Sequence, residues 1–366
     1  MSSLKQTPEI SVIMSVYNGE KYLAEAIESI INQSFTRWEL VVINDCSTDS
    51  TGDILSEYAS KDERIKAVTN ETNLRLPASL NKAISVCVGK YIARMDADDI
   101  SLPERLERQY AFMEQNADVA LSSCRFFTLR NGVYSSGGCG GRCDSDAIRA
   151  MLLTANPILH PGVIARAEVL KSMPYDTSLT CTEDLELWTR IAKANLKMQI
   201  QPEYLLVYRL HDKQITATTL EKQHSEVMKI QTSYLEALLG EPDDEMKKFY
   251  ISGIYFKEAP DEMRFCRLFR WAKEANRKRR AFSPDSLSYA FFEVLAEYKR
   301  CGMPKAAIIR MMLKFGTGFL AKETLRRKKC ASADGARCIE AAKGLGLLRT
   351  SGTKAFPVFS KRTNRS

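Results

Sequence analysis

Three carboxylates stand within four residues after an apolar segment, and they offer the first chemistry in the chain. Asp96, Asp98 and Asp99 follow Lys90 to Met95, which has the composition of a buried strand. Because side chains alternate faces along a strand, Asp96 and Asp98 should point the same way and Asp99 the opposite way. Unpaired buried carboxylates cost several kcal/mol, so a cation should neutralise them, and oxygen ligands favour Mg²⁺ or Mn²⁺. Such an ion could hold a diphosphate; the alternative is a solvated acidic turn that opens the next helix.

A second acidic pair, Glu183-Asp184, follows Thr182 at the start of a segment with helical periodicity. Thr182 has the side chain of a helix N-cap, which would place both acids in the first turn. Acids in that turn interact favourably with the helix dipole, by ~0.3–1 kcal/mol, and need no other role. The alternative is catalytic, because a carboxylate that accepts a proton from a hydroxyl nucleophile contributes about 10²–10⁴-fold to a rate.

The elements that must position these acids alternate between strand and helix. Segments typical of buried strands begin at Ile10, Glu39, Ile65 and Lys90, and each precedes a helical pattern. This alternation predicts an α/β fold with a doubly wound parallel sheet.

Polar clusters fall directly after these strands. They are Ser15 to Asn18, Asn44-Asp45, Asn73, and Asp96 to Asp99. Right-handed crossovers bring the carboxyl ends of parallel strands to one edge, where such sheets bind ligands, so we expect the clusters to share a crevice. The chain lacks the glycine-rich signatures of dinucleotide-binding folds and P-loop NTPases, so a diphosphate held there would depend on the metal.

Seven segments, in this order, resemble the inverting glycosyltransferase family 2, which has the GT-A fold. They are Ser11 to Asn18, Val42 to Asp49, Arg94 to Asp99, Leu102 to Arg105, Asn156 to Pro161, Thr182 to Asp184, and Tyr208 to His211. The resemblance covers about residues 9 to 215. It implies a Rossmann-like, mostly parallel sheet flanked by helices, and transfer of a sugar from a UDP-sugar to a hydroxyl of a saccharide or lipid-linked acceptor.

The resemblance also implies the parts of a donor site. The end of the first strand, with Ser15 and Tyr17, would contact the uracil together with Asp45. Asp96 would face the ribose, and Asp98 would bind the Mn²⁺ or Mg²⁺ ion.

Further site residues follow from the same resemblance. Asp184 would be the general base, and Glu183 would serve the acceptor or the orientation of the site. His160 would lie near the donor sugar or acceptor, and His211 near the metal or diphosphate. Each histidine also has a structural interpretation, as a hydrogen-bonded side chain before a proline or at the end of the sheet.

Asn73 would belong to the donor site as well. Arg75 stands where the family often carries a glycine, and this departure bears on the donor contacts near Asn73.

The length and composition of the whole chain limit its domain organisation, its cellular location and its use of cysteine. With 366 residues we expect a catalytic GT-A domain over 1–218, a helical region over 219–345 and a flexible tail over 346–366. The absence of a signal sequence or a membrane-spanning apolar run favours the cytosol. The ten cysteines include no CxxC pair, which argues against structural zinc. A Gly- and Cys-rich stretch over 135–145 is interpreted as a flexible loop, either ordering over bound donor or forming a hairpin tip.

Most of the excess positive charge follows residue 264, in helical segments such as Met263 to Trp271, Arg277 to Arg280 and Arg326 to Lys329. Three interpretations stay open: solvated helix faces, docking on the anionic inner face of a membrane, and nucleic-acid binding. The last is not expected, because no recognised module accompanies the charge. Two alternatives to glycosyl transfer also remain, a nucleotidyltransferase that forms nucleotide sugars and a non-catalytic nucleotide-sugar-binding protein.

Overall fold

Four parallel strands form one half of the sheet, as the sequence predicts. The computed structural model describes residues 7–137, 141–211, 220–255 and 260–328, together with Arg337 and Phe359–Ser360. The four strands are β1 (Ile10–Val16), β2 (Trp38–Asn44), β3 (Ile65–Thr69) and β4 (Tyr91–Arg94). They pair in the order β4-β1-β2-β3. β1 and β2 are almost wholly buried, which is why both read as continuous apolar runs.

The other half of the sheet is mixed. Its strands are β5 (Ile100–Ser101), β6 (Val119–Arg130), β7 (Val133–Gly137), β8 (Ile164–Arg166), β9 (Lys197–Arg209) and β10 (Phe359–Ser360). β8 is antiparallel to β4 and to β6, β7 is antiparallel to β6 and β10, and β9 runs parallel to β6 and antiparallel to β5. The α/β class with a helix-flanked GT-A-type sheet is confirmed, and only the β1–β4 half is uniformly parallel.

Helices cover the sheet. Up to β9 they are α1 (Leu23–Ile31), α2 (Thr51–Lys61), α3 (Arg75–Val86), α4 (Arg105–Gln115), α5 (Ser145–Met151), α6 (Ala167–Ser172) and α7 (Glu183–Lys193). After β9 they are α8 (Leu220–Leu239), α9 (Asp244–Phe249), a π-helical turn (Tyr250–Tyr255), α10 (Glu262–Arg279), α11 (Pro284–Arg300), α12 (Lys305–Leu313) and α13 (317–328).

Two local expectations are wrong. The apolar residues from Ile158 to Ala165 predict a strand that begins at His160-Pro161. The structure instead has a 3₁₀ turn at His160–Gly162 followed by the short β8, because the His-Pro-Gly sequence turns the chain before it can pair. The flexible loop expected over 135–145 begins as β7, since Thr128 and Ser135 of neighbouring strands are joined by a hydrogen bond. Residues 138–140 lie outside the described part of the chain.

The C-terminal helices pack directly on the N-terminal part. The Tyr234 hydroxyl donates to the carbonyl of Arg149 at 2.8 Å, and the Tyr250 hydroxyl donates to that of Leu153 at 2.7 Å. Val227, Phe291 and other residues of these helices join the same buried cluster as the first strands. The expected boundary at 218/219 falls at the edge of 212–219, outside the described residues, as does nearly all of the expected tail. Within the described residues, no helix combines the length and apolarity needed to cross a bilayer.

Candidate active site

One cavity of about 1680 Å³ lies at the carboxyl ends of β1, β2 and β4. All ten residues proposed from the sequence line it: Ser15, Tyr17, Asp45, Asn73, Asp96, Asp98, His160, Glu183, Asp184 and His211. Asp98 and Asp184 therefore share a cleft, although they come from different elements. The structure brings the set together, and the role of each member stays a prediction.

The acidic segment leaves the sheet as a turn. β4 ends at Arg94, and the backbone N–H of Asp99 points back to the carbonyl of Asp96 at 3.4 Å. The carboxylates of Asp96, Asp98 and Asp99 consequently lie within 4.8 Å of one another. The expectation that Asp99 faces away is wrong, because strand alternation stops where the chain turns.

Two basic side chains contact the carboxylates of this turn. The buried Arg94 guanidinium donates to Asp96 Oδ2 at 2.7 Å. Burial raises the pKa of Asp96 to about 6, against the opposing effect of Arg94. His211 Nε2 lies 2.8 Å from Asp98 Oδ2, which places the predicted pair of metal ligands in contact.

Asp99 adds a buried carboxyl with one unpartnered oxygen to the acidic turn. Its carboxyl is buried, Oδ1 accepts the backbone N–H of Arg209 at 2.9 Å, and Oδ2 has no hydrogen-bond partner. Burial and the neighbouring Asp96 and Asp98 raise the pKa of Asp99 well above its ordinary value. Three converging carboxylates, one with an unpartnered oxygen, form a donor set that fits a hard divalent ion.

The end of β9 is anchored on the acidic turn. β9 pairs with β5 directly after the turn, and Arg209 Nε donates to the carbonyl of Asp98 at 2.8 Å. The same guanidinium donates to Glu25 of α1 at 2.6 Å. These contacts carry His211 to its place beside Asp98, more than a hundred residues away in the sequence.

Asp184 faces the cavity from the first turn of α7. Its Oδ2 accepts a hydrogen bond from Asn156 Nδ2 at 2.8 Å, and its Oδ1 accepts the backbone N–H of Leu185 at 2.6 Å. Burial raises the pKa of Asp184 above its ordinary value, and the hydrogen bonds from Leu185 and Asn156 only partly oppose it. Burial, rather than the helix N-terminus, therefore determines the direction in which the pKa of Asp184 is shifted. A raised pKa makes a carboxylate a stronger proton acceptor once it is ionised.

Glu183 belongs to a buried cluster behind Asp184. His160 Nε2 lies 2.8 Å from the Tyr175 hydroxyl, and His160 Nδ1 lies 3.7 Å from Glu183 Oε1. Burial lowers the pKa of His160 well below its ordinary value, so the imidazole is neutral and the Glu183 contact is not an ion pair. Burial and Asp184 raise the pKa of Glu183 to about 7, and its Oε2 has no hydrogen-bond partner.

The opposite end of the cavity is shaped by Asp45. Its two oxygens accept the backbone N–H groups of Leu74 and Arg75, each at 2.8 Å, and Oδ1 also accepts from Asn70 Nδ2 at 2.8 Å. Arg75 has φ 68°, the left-handed region in which glycine carries no steric penalty. Asn73 Oδ1 accepts the same Arg75 N–H at 3.1 Å.

Sequence reasoning gave no role to several residues of this site. Asn156 and Arg94 lie inside segments that carry the family resemblance, so their position indicated a place at the site although no role was predicted for them. Tyr175 and the β6–β7 hairpin tip, which lines the cavity with Arg130 to Gly132, carried no signal of their own.

The fold is shared with solved glycosyltransferase structures. TarS 1–349 of S. aureus, in complex with UDP-GlcNAc, superposes with a TM-score of 0.54 at 18% identity, over 96% of this chain and 99% of that one. The architecture is thus that of a GT-A glycosyltransferase.

Sequence comparison gives the family. The model of glycosyl transferase family 2 matches residues 11–171. An uncharacterized glycosyltransferase of Methanocaldococcus jannaschii is 36% identical over 219 residues, 59% of this chain and 76% of that protein. The O-antigen biosynthesis glycosyltransferase WbnJ of Escherichia coli is 34% identical over 224 residues, 60% of this chain and 86% of that protein. The chain belongs to glycosyl transferase family 2, and it is a glycosyltransferase rather than a nucleotide-sugar-forming nucleotidyltransferase.

Proposed function

We propose that the protein transfers a sugar from a UDP-sugar to a hydroxyl of a saccharide or lipid-linked acceptor, with inversion at the anomeric carbon and with Asp184 as general base. The observation that carries this proposal is that Asp98 and Asp184 line the same cavity. A group that holds the donor diphosphate and a group that accepts the acceptor proton must lie on either side of one reacting carbon.

The donor end of the cavity supports a nucleotide. Ser15 lies near the end of β1 and Tyr17 follows the strand directly. Tyr17 is 53% exposed, so its ring is available to a ligand. Asp45 holds the 73–75 loop in place beside them. The TarS structure contains UDP-GlcNAc, and WbnJ acts in O-antigen biosynthesis, which together favour a UDP-sugar and a surface polysaccharide or glycolipid.

A divalent ion, Mn²⁺ or Mg²⁺, fits the acidic turn. Asp98 and His211 would hold it, beside Asp96 and Asp99. When bound, the ion supplies positive charge to the departing diphosphate.

The transfer itself needs no covalent intermediate. The acceptor hydroxyl oxygen attacks the anomeric carbon while the bond from that carbon to the diphosphate oxygen breaks, and the electron pair stays on UDP. The hydroxyl proton passes to the Asp184 carboxylate as its oxygen becomes a better nucleophile. Asn156 fixes the orientation of Asp184 through Oδ2. Glu183 and His160 lie directly behind, which suits orientation of the acceptor side.

Exposed basic residues on the C-terminal helices favour the proposal that the protein docks on an anionic membrane surface. Arg270, Lys273 and Arg277 are exposed along one face of α10, and Met263 at the start of that helix is 81% exposed. Arg267, in contrast, is paired with Asp243 and Glu245, so part of the basic charge is neutralised internally. Basic residues near an anionic surface contribute about 1 kcal/mol each.

A panel of UDP-sugars tests the proposal. UDP release and thermal stabilisation are measured for each donor with Mn²⁺, with Mg²⁺ and with chelator, and the anomeric configuration of the product is read by NMR. One donor should be turned over in a metal-dependent way with inversion. Retention of configuration, or turnover unaffected by chelator, would contradict the mechanism.

A further inference from the structure

Glu226 of α8 reaches across to the segment that precedes the acidic pair. Its Oε1 accepts a hydrogen bond from the Thr180 hydroxyl at 2.8 Å, and its Oε2 accepts one from the Thr182 hydroxyl at 2.7 Å. The Thr180 backbone N–H points between the two oxygens, at 3.3 and 3.4 Å, and Cys181 Sγ lies 3.7 Å from Oε2. One carboxylate thus collects donors from three consecutive residues.

This contact changes how α7 begins. Thr182 occupies the N-cap position, but its side chain makes no hydrogen bond to the helix, with φ −136° and ψ 16°. The predicted N-cap position of Thr182 is confirmed, and Glu183 and Asp184 lie in the first turn. The capping hydrogen bond itself is missing, because the Thr182 hydroxyl donates to Glu226 instead. The start of the helix that bears Asp184 is therefore held from outside, by a residue 44 positions further along the chain.

The electrostatics suit a fixed anchor. Burial acts to raise the pKa of Glu226, but the hydrogen bonds from Thr182 and Thr180 outweigh it and hold the pKa below its ordinary value. An ionised carboxylate can only accept, and each donor it meets here is satisfied. Hydrogen bonds to an ionised group are stronger than those between neutral groups, so several of them converging on one carboxylate can fix a short segment.

The anchored segment also belongs to the cavity. Thr180 and Cys181 line it together with Glu183 and Asp184. A shift of this segment would move the Asp184 carboxylate relative to the donor, and a misplacement of about 1 Å can cost roughly 10²-fold in rate.

We propose, resting on the function proposed above, that Glu226 is a positioning residue that holds the 180–182 segment so that Asp184 faces the acceptor hydroxyl. The helical C-terminal region then takes part in catalysis without touching substrate. Donor nucleotide binding, which we assign to Ser15, Tyr17 and Asp45, should not depend on this anchor.

The first test compares Glu226→Gln with Glu236→Gln in the full chain. Glu236 is on the same helix and pairs with Lys247, so its variant loses a polar contact elsewhere. We expect Glu226→Gln to lower kcat roughly 10- to 100-fold with the donor KM and the UDP affinity by calorimetry unchanged. Glu236→Gln should keep the wild-type kcat. Equal kcat in the two variants would overturn the proposal, as would a Glu226→Gln loss that falls equally on kcat and UDP affinity.

A second pair of variants, at Thr182, tests the anchor even if Glu226→Gln fails to fold. Thr182→Ser retains the hydroxyl that Glu226 accepts, and Thr182→Val removes it at nearly constant volume. The valine variant should lose kcat and the serine variant should keep it; equal kcat in both would contradict the anchor. Asp184→Asn distinguishes failure of the proposed base from failure of the proposed anchor. A fully active Asp184→Asn variant refutes Asp184 as the base. An inactive Asp184→Asn variant together with an unimpaired Glu226→Gln variant refutes only the positioning role of Glu226.

Discussion

Asn156 Nδ2 lies 2.8 Å from Asp184 Oδ2, joining the loop before the His160–Gly162 turn to the first turn of α7. The backbone N–H of Leu185 holds the other oxygen, so the plane of the carboxyl is fixed from two sides. A carboxylate held this way keeps one orientation relative to the cavity that it lines.

Asp184→Asn should abolish transfer while leaving UDP binding intact. The amide cannot accept the acceptor proton, so kcat should fall by about 10²–10⁴-fold. Calorimetry with UDP and steady-state kinetics measure the two quantities. Asn156→Ala serves as the matched variant, since it keeps the base but frees its orientation and should cost less. A loss of UDP affinity as large as the loss of kcat would contradict the base assignment.

Asp98→Ala should remove the metal dependence of UDP binding. The acidic turn concentrates three carboxylates, and loss of Asp98 removes the one in contact with His211. UDP titrations with and without Mn²⁺ measure the effect. Asp118→Ala, at an exposed ion pair with Lys197, controls for the loss of a surface charge. Unchanged metal dependence in Asp98→Ala would exclude it as a ligand.

The stability of the Glu183→Gln variant relative to wild type should increase as the pH rises. The folded-state pKa of Glu183 is raised from 4.5 to about 7, so its contribution to stability is present below about pH 4.5 and is lost as the pH rises through 7. Glutamine stays neutral and avoids that loss, which is on the order of 3 kcal/mol for a shift of about 2.5 pKa units at 1.36 kcal/mol per unit.

Thermal melts of wild type and Glu183→Gln between pH 5 and pH 8 measure this difference, with exposed Glu168→Gln as the control. The gap between Glu183→Gln and wild type should widen towards pH 8. A constant gap would show that Glu183 does not titrate in this range.

Arg75→Gly should be more stable than Arg75→Ala. Both variants remove the guanidinium, but only alanine keeps a Cβ at φ 68°. The left-handed conformation costs an L-residue about 1–2 kcal/mol, partly offset by the greater freedom of glycine in the unfolded chain. Urea denaturation should therefore favour glycine by about 0.5–1 kcal/mol. An equal or more stable alanine variant would show that the loop relaxes out of this conformation.

Charge reversal on α10 should weaken membrane binding. Arg270→Glu with Arg277→Glu changes the exposed basic face without touching the ion pairs of Arg267. Flotation with phosphatidylserine vesicles should fall relative to wild type, and neutral phosphatidylcholine vesicles should bind neither protein. Lys61→Glu with Lys197→Glu places the same charge change elsewhere. Equal flotation of all three proteins would remove this helix as the anchor.

Much of the fold and the membership of the site could be predicted from the sequence. Strands β1, β2 and β4 can be predicted because both their faces are buried, so apolar residues predominate along them. β3 is largely exposed, and its prediction rests on its place in the alternation of strands and helices. The site residues at the ends of β1, β2 and β4 could be grouped because the carboxyl ends of parallel strands share an edge. His160, His211 and the acidic pair at 183–184 were expected at the site from the family resemblance. The wrong predictions concern local geometry. At Asp99 and at His160 the chain forms turns where the sequence predicted extended strand, and the geometry of those turns depends on neighbouring elements.

The sequence by itself determined which groups are present and which strand ends carry them, because composition and periodicity are local properties. Only the tertiary structure decided which groups meet. His211 reaches Asp98 across 113 residues, Glu226 takes the hydroxyl of Thr182 across 44, and Asn156 holds Asp184 across 28. Such contacts depend on how separate elements pack, and a hydrogen bond requires that packing to place two atoms within about 3 Å.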